Sequence, residues 1–239
     1  MILLAIDTAG STGGVLLARD PETGEPVEVL GSRQMHGRAF SSELIPAIGE
    51  LLRSNDVALK DVDAFAAIDG PGSFTGLRVG LSAVKGLAEV TQRPVIALSR
   101  LAVMASQLSA VRADLDAGAM HAVLDAGRGE YYYGSYTDAG WVRQSEQLLT
   151  LDALAATLRS VPGELVAFES TVLDALAAFH PHRIEGAGAH ASLPLALRCW
   201  RARRWTEARA LDANYLRRSD AELFARSAGN PGSTAAGPQ

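Results

Sequence analysis

Gly70-Pro71-Gly72-Ser73-Phe74-Thr75-Gly76 follows an apolar run, Ala64 to Ile68, and leads into a helical pattern that continues LRVGLSAVKGLAEV. A glycine-rich turn that leaves a strand and opens a helix presents bare N–H groups, and many proteins hold a phosphate there. The stretch is not a P-loop, because no Gly-Lys-Ser/Thr follows at the required spacing. Nor is it a dinucleotide fingerprint: Gly70 and Gly72 fit, but Thr75 occupies the place of the third glycine. What the residues supply is a fixed φ at Pro71, freedom for a positive φ at Gly72, and a helix cap from Ser73 or Thr75. A structural turn and an anion cradle both fit these residues.

The helix behind the turn says more. Gly76, Gly80 and Gly86 fall inside it, and each interior glycine costs roughly 0.8–1 kcal/mol against alanine. Gly76 and Gly80 lie one turn apart, with Ala83 nearby, so they leave a smooth face that another backbone can approach closely. That neighbour is either the sheet beneath, the simpler account, or a helix from a partner.

Outward from this centre the chain alternates strands and helices. Before the turn, Ile2–Asp7, Gly14–Arg19 and Pro26–Gln34 read as an antiparallel meander, with turn chemistry at Gly10-Ser11-Thr12-Gly13. SSELIPAIGELLRS reads as a helix whose Leu44, Ile48, Leu51 and Leu52 share a face, with Ser41 or Ser42 as cap and Pro46 near its start. After the turn come a helix over 75–90, a strand over 95–98 and a helix over 99–111. Strands with helices packed on them make a mixed α/β sheet. A second unit starts near Ala119, where HAVLDAGRGEYYYGSY holds two strands about Gly127-Arg128-Gly129. Helical patterns follow over 151–158, 171–179 and 193–209, with a strand over 165–168. The boundaries read as 1–112, 113–220 and a polar, proline- and glycine-broken tail, 221–239, expected to be disordered.

Hydrophobic residues make up 48% of the 239 and charged ones 21%, which is globular composition. No apolar run approaches the ~20 residues of a membrane helix, and the N-terminus lacks the basic flank of a signal peptide. One cysteine, Cys199, excludes an internal disulfide and a cysteine-based zinc cluster, so a reducing cytoplasm is the simplest home. A net charge of −5 argues against a chain that grips nucleic acid by itself. Arg198, Arg201, Arg203, Arg204, Arg209, Arg217 and Arg218 read as a solvated helix face and its exit.

Other candidate chemistry is thin. Asp7-Thr8 at the end of the first strand, before a small-residue turn, is a weak phosphate-hairpin pattern. His36, His121, His180, His182 and His190 include no i, i+4 pair, so no helix face carries two histidine ligands. No G-x-S-x-G elbow exists for a hydrolase serine. Asp125, Arg128 and Glu130 form a polar group on the second hairpin, read as an internal salt bridge or a ligand contact.

IDTAGSTGGVLL, SSELIPAIGELL, GPGSFTGLRVGLSAVKGLA, LDAGRGEYYYGSY and NYLRR, in that order, resemble the bacterial TsaB family, also called YeaZ. The likeness runs to about Arg218, and GPGSFTGLRVG is its most specific part. It implies an actin-like ASKHA (ribonuclease H-like) α/β fold of two lobes, each a mixed sheet with packed helices. It implies a non-catalytic subunit of the machinery that transfers threonylcarbamoyl from its adenylate to N6 of the tRNA adenosine beside the anticodon. The implied partners are the catalytic subunit TsaD, the ATPase TsaE, a second copy of the chain when alone, and tRNA only through the complex.

Leu44, Ile48, Gly76, Leu77, Gly80, Ala83, Val84 and Leu87 would form the partner surface. Asp7, Thr8, Gly70, Gly72, Ser73 and Thr75 would keep the turns of an old nucleotide site, with no cofactor and room for weak ATP or ADP binding. In TsaD the corresponding later segment is His-Met-Glu-Gly-His, whose histidines bind metal. Here Arg100 and Met104 stand in those places, and a guanidinium does not replace a neutral imidazole as ligand. One departure from the family is Ala213-Asn214, where a proline usually precedes Tyr-Leu-Arg. A small-molecule kinase on the same fold is the main alternative, but Arg128 and Glu130 interrupt its second phosphate hairpin. A metallopeptidase would need the missing histidine pair.

Overall fold

The computed structural model describes residues 1–21, 24–111, 118–138 and 141–217. Its first sheet is built from β1 (Ile2–Asp7), β2 (Thr12–Arg19), β3 (Glu28–His36), β4 (Ala64–Gly70) and β5 (Val95–Ser99), with helices α1 (Phe40–Ser54), α2 (Phe74–Thr91) and α3 (Arg100–Val111) between and after them. The second sheet uses β6 (Ala119–Gly127), β7 (Glu130–Thr137), β8 (Val142–Thr150), β9 (Gly163–Ala167) and β10 (His182–Arg183), with α4 (Leu151–Ser160), α5 (Ser170–Ala175) and α6 (Ala189–Arg201).

The spatial orders are β3-β2-β1-β4-β5 and β10-β9-β6-β7-β8. In each, the first three strands form an antiparallel meander and the last two join in parallel beside the first. The two lobes therefore repeat one topology, with mixed sheets as the resemblance implied.

β1 is apolar throughout because both faces of its sheet are covered. Leu3 and Ala5 pack with Leu16, Ile96 and residues of α3 and α6. Leu4 and Ile6 point the other way, into a layer made by α1 and α2. The division at residue 112 separates the sheets but not their helices. α6, from the second half, covers β1, β2 and β5 of the first sheet, whereas α3 packs on β6 and β7. The chain then returns to the first lobe, where Thr206 exchanges two backbone hydrogen bonds of 2.8 Å with Val95 at the sheet edge.

Several local expectations change. The helical reading over 193–209 stops at Arg201, because edge pairing with β5 captures the backbone beyond it. α1 starts at Phe40 and not at a serine cap: Phe40 is buried in the core, the N-cap is Ala39, and Ser42 donates back to the Ala39 carbonyl. Pro46 therefore lies well inside the helix. Residues 221–239, read as a tail, lie outside the described residues. Among the described residues no helix is long and apolar enough to cross a membrane.

Candidate functional site: the cleft between the lobes

β1 and β4 end side by side, and their C-terminal ends carry the two turns picked out from the sequence. Asp7 is fully buried; its Oδ1 accepts from the Ala9 N–H at 2.8 Å and its Oδ2 has no partner. Burial pushes its pKa up, against a lowering pull from Arg100 and the Ala9 N–H. Thr8, also buried, donates from Oγ1 to the Gly76 carbonyl at 2.7 Å. The Ser73 N–H donates to the Ala9 carbonyl at 2.8 Å, and Ser73 caps α2 by accepting from the Gly76 N–H. The glycine turn is thus closed onto the β1–β2 turn by hydrogen bonds from both sides.

This answers the question the glycines raise. A Cβ at Gly76 would lie 2.1 Å from the Thr8 carbonyl oxygen, and one at Gly80 would lie 2.2 Å from Thr8 Oγ1. The smooth face of α2 lies against this chain's own first turn, so Gly76 and Gly80 take the internal reading and do not open a groove outward. Leu44, Ile48, Leu77 and Val84 are core residues as well. Ala83 and Leu87 are half-buried, and Thr75 is exposed. The positive φ falls at Gly70, +137°, rather than at Gly72. Gly72 is required by contact: a Cβ there would lie 2.3 Å from the Ala9 carbonyl oxygen.

The neighbouring stripe of α2 is half-buried at Val79 and Ala83 and exposed at Gly86 and Val90. Val79, Ala83, Gly86 and Val90 recur at i, i+4, i+7 and i+11, one face of a helix. Val90 is 81% exposed and a Cβ at Gly86 would meet nothing within 4 Å. On the neighbouring α1, Ile45 is 57% exposed.

Across the cleft, Arg100 opens α3. Its guanidinium occupies the space a side chain at Gly10 would need, with Nη2 2.8 Å from that position, and its Nε is buried without a hydrogen-bond partner. Its charge acts on both Asp7 and Glu169. Met104, one turn on, is fully buried in the apolar core. Asp125 accepts the Gly127 N–H on Oδ1, and its own N–H donates to Glu169 Oε2 at 2.6 Å. Glu130 pairs with Arg217. Asp125 and Glu130 of the hairpin thus also engage groups outside it, Glu169 and Arg217. Glu169 is not legible from the sequence because it reaches the site from a distant segment with no motif around it; Arg217 stands in the NYLRR stretch, but its pairing with Glu130 is a long-range contact.

A cleft of about 500 Å³ lies between the glycine turn and the second hairpin, lined by Pro71, Gly72, Phe74, Arg128, Tyr132 and Tyr215 among others. Two of the histidines are engaged elsewhere. His121 meets the Tyr133 hydroxyl at 2.9 Å and the Val161 carbonyl at 3.0 Å, and His182 pairs with Glu164. No group of three or more His, Cys, Asp or Glu suited to a metal is found among the described residues.

The family model described as TsaD, tRNA N6-adenosine threonylcarbamoyltransferase, matches residues 34–187. The tRNA threonylcarbamoyladenosine biosynthesis protein TsaB of Escherichia coli is 31% identical over 170 residues, 70% of either chain. The TsaB of Bacillus subtilis is 35% identical over 137 residues, 57% of this chain and 55% of its own. The solved structure of YeaZ from Pseudomonas aeruginosa superposes with a TM-score of 0.68 at 28% identity, over 89% of this chain and all of that one. The repeated mixed sheets, the closed glycine turn and these matches agree, and the chain belongs to the TsaB (YeaZ) family of tRNA threonylcarbamoyladenosine biosynthesis proteins.

Proposed function

We propose that this chain is a non-catalytic subunit in the biosynthesis of tRNA threonylcarbamoyladenosine, acting by binding and activating a TsaD-type transferase. The observation that carries this reading is Arg100. It sets a permanent cation beside the one fully buried carboxylate of the cleft, Asp7, where a metal or a phosphate–metal pair would otherwise be drawn. The kinase alternative needs that carboxylate free to work on a phosphate.

The surface offered to the transferase, or to a second copy when the chain is alone, is the stripe of α2 that ends at Val90, with Ile45 of α1. Exposed apolar residues on adjoining helices suit a helix-on-helix contact. TsaE joins the same assembly, tRNA is met within it, no cofactor is required of this chain, and the site of action is the cytoplasm.

The test is a reconstitution with the transferase, TsaE, threonylcarbamoyl-AMP and tRNA, with the modified nucleoside measured by mass spectrometry. Product should require this chain, and this chain alone should make none. Val90→Arg, at the exposed end of the stripe, should leave the melting temperature within a degree or two while losing co-purification with the transferase. Product formation by the isolated chain, or full association of Val90→Arg, would overturn the proposal.

A further inference from the structure

The chain has three tryptophans, of which Trp200 and Trp205 lie at the C-terminal end of α6 and Trp141 packs against the arginines there. Trp200 and Trp205 stack with centroids 4.9 Å apart. Arg198 and Arg204 lie over the Trp141 ring at 4.4 and 4.1 Å. Three of the arginines are neutralised by carboxylates: Arg198 by Asp138, Arg201 by Asp20 and Arg209 by Glu207. Arg204 donates to the Trp141 carbonyl, and the Arg203 side chain makes neither a hydrogen bond nor an ion pair with any described residue, its backbone N–H alone donating to the Trp200 carbonyl at 2.9 Å. The patch lies between the end of α6 and the Thr206–Val95 pairing at the sheet edge. A shallow surface hollow is lined by Trp200, Arg201, Arg203 and Trp205.

We propose that this surface is an RNA contact, taking one unstacked base on Trp205 and a flanking phosphate on Arg203. Exposed aromatic faces beside arginines are how proteins hold single-stranded nucleic acid without reading its sequence. A structural account covers part of the patch, since Arg198 and Arg201 in the last turn of α6 complement the helix dipole. It does not cover Arg203. That residue stands just past the helix with φ +54°, the left-handed position where glycine is the low-energy choice. An arginine kept in a strained conformation, exposed and unpaired, points to a use outside the fold. Nor does the dipole explain Trp205 at 39% exposure. Taking tRNA as the natural RNA rests on the proposed function; the contact chemistry does not.

Arg203→Gly separates the two accounts, because glycine relieves the backbone while removing the charge. Binding of a single-stranded oligouridylate to the full chain, and of tRNA to the chain assembled with the transferase, is measured by fluorescence anisotropy from 50 to 200 mM salt. Wild type should bind with a steep salt dependence. Arg203→Gly should bind about three- to tenfold more weakly, with a salt slope lower by about one, and its melting temperature should hold or rise. Trp205→Ala should weaken binding about tenfold, and Trp205→Phe should restore part of it. Absence of RNA binding by wild type in both arms, or variants that bind like wild type, would sink the proposal. So would an acidic protein partner that covers Trp205 while RNA affinity stays the same. If the oligouridylate arm succeeds while reconstitution yields no modified tRNA, the surface stands and the proposed function fails.

Discussion

Asp69, at the end of β4, faces Glu146 of β8 across the lobe boundary, and neither carboxylate meets bulk water freely. Glu146 is held by the Tyr136 hydroxyl, the Asn214 amide and Arg143, while Asp69 Oδ1 is buried with no partner. Burial first, and the Glu146 charge second, push the Asp69 pKa up to about 7. Between about pH 4 and pH 7 the folded chain then holds a proton that the unfolded chain has released. Stability therefore falls as pH rises through that window, by up to about 1.4 kcal/mol per unit for one such group. Asp69→Asn keeps the shape and removes the titration. Melting curves should show a gain at pH 8 that exceeds the gain at pH 5 by up to about 3 kcal/mol. An equal effect at both values would mean that Asp69 is ionised throughout. Gly80 sets a second limit at this scale. A methyl there overlaps Thr8 Oγ1, so Gly80→Ala should cost about 1–3 kcal/mol despite its better helix propensity. Removing the hydroxyl with Thr8→Ala should make the second change cheaper, and denaturation of the double variant reads that coupling directly.

At the scale of elements, α2 shows what a sequence conveys and what it withholds. Its glycines announce a close approach, and the strand–turn–helix frame around them is legible from periodicity and punctuation alone. Which backbone approaches is decided by tertiary placement, and the nearest one is Thr8 on the first turn. The partner surface proposed above is instead the stripe of Val79, Ala83, Gly86 and Val90, too small and mixed to stand out beside the glycine face. β8, Val142–Thr150, went unread for a similar reason: it is an edge strand, VRQSEQLLT, whose polar residues give no strict alternation. The end of α6 was overrun because its arginines continue the helical pattern, while edge pairing at Val95 is a long-range event. Asn214 and Arg217 stand in the NYLRR stretch, but the contacts this returning segment makes in the cleft are long-range ones that no local pattern announces.

At the scale of the whole molecule, the two repeated sheets do not make two independent units. One apolar core contains Leu3, Ala5, Leu16 and Ile96 of the first sheet, Ala122 and Leu124 of the second, and Leu193, Ala196 and Leu197 of α6. The inner face of the first sheet is therefore covered by a helix that the chain delivers only after building the second. Residues 1–112 alone would leave that face open. Each uncovered leucine forfeits about 1.5–3 kcal/mol of burial, and a few of them match the 5–15 kcal/mol that a domain has in total. A polypeptide of residues 1–112 should accordingly lack cooperative melting and bind a hydrophobic dye. In the full chain, Leu197→Ala should cost about 2–5 kcal/mol, and its effect should not stay local. Tryptophan fluorescence, which reports on Trp141 beside the second sheet and on Trp200 and Trp205 at the end of α6, should shift in one transition together with far-UV circular dichroism. The calorimetric and van't Hoff enthalpies should agree. Two separated transitions, or a 1–112 polypeptide that melts cooperatively as a monomer, would show that the lobes fold apart and that α6 only rests on the first sheet.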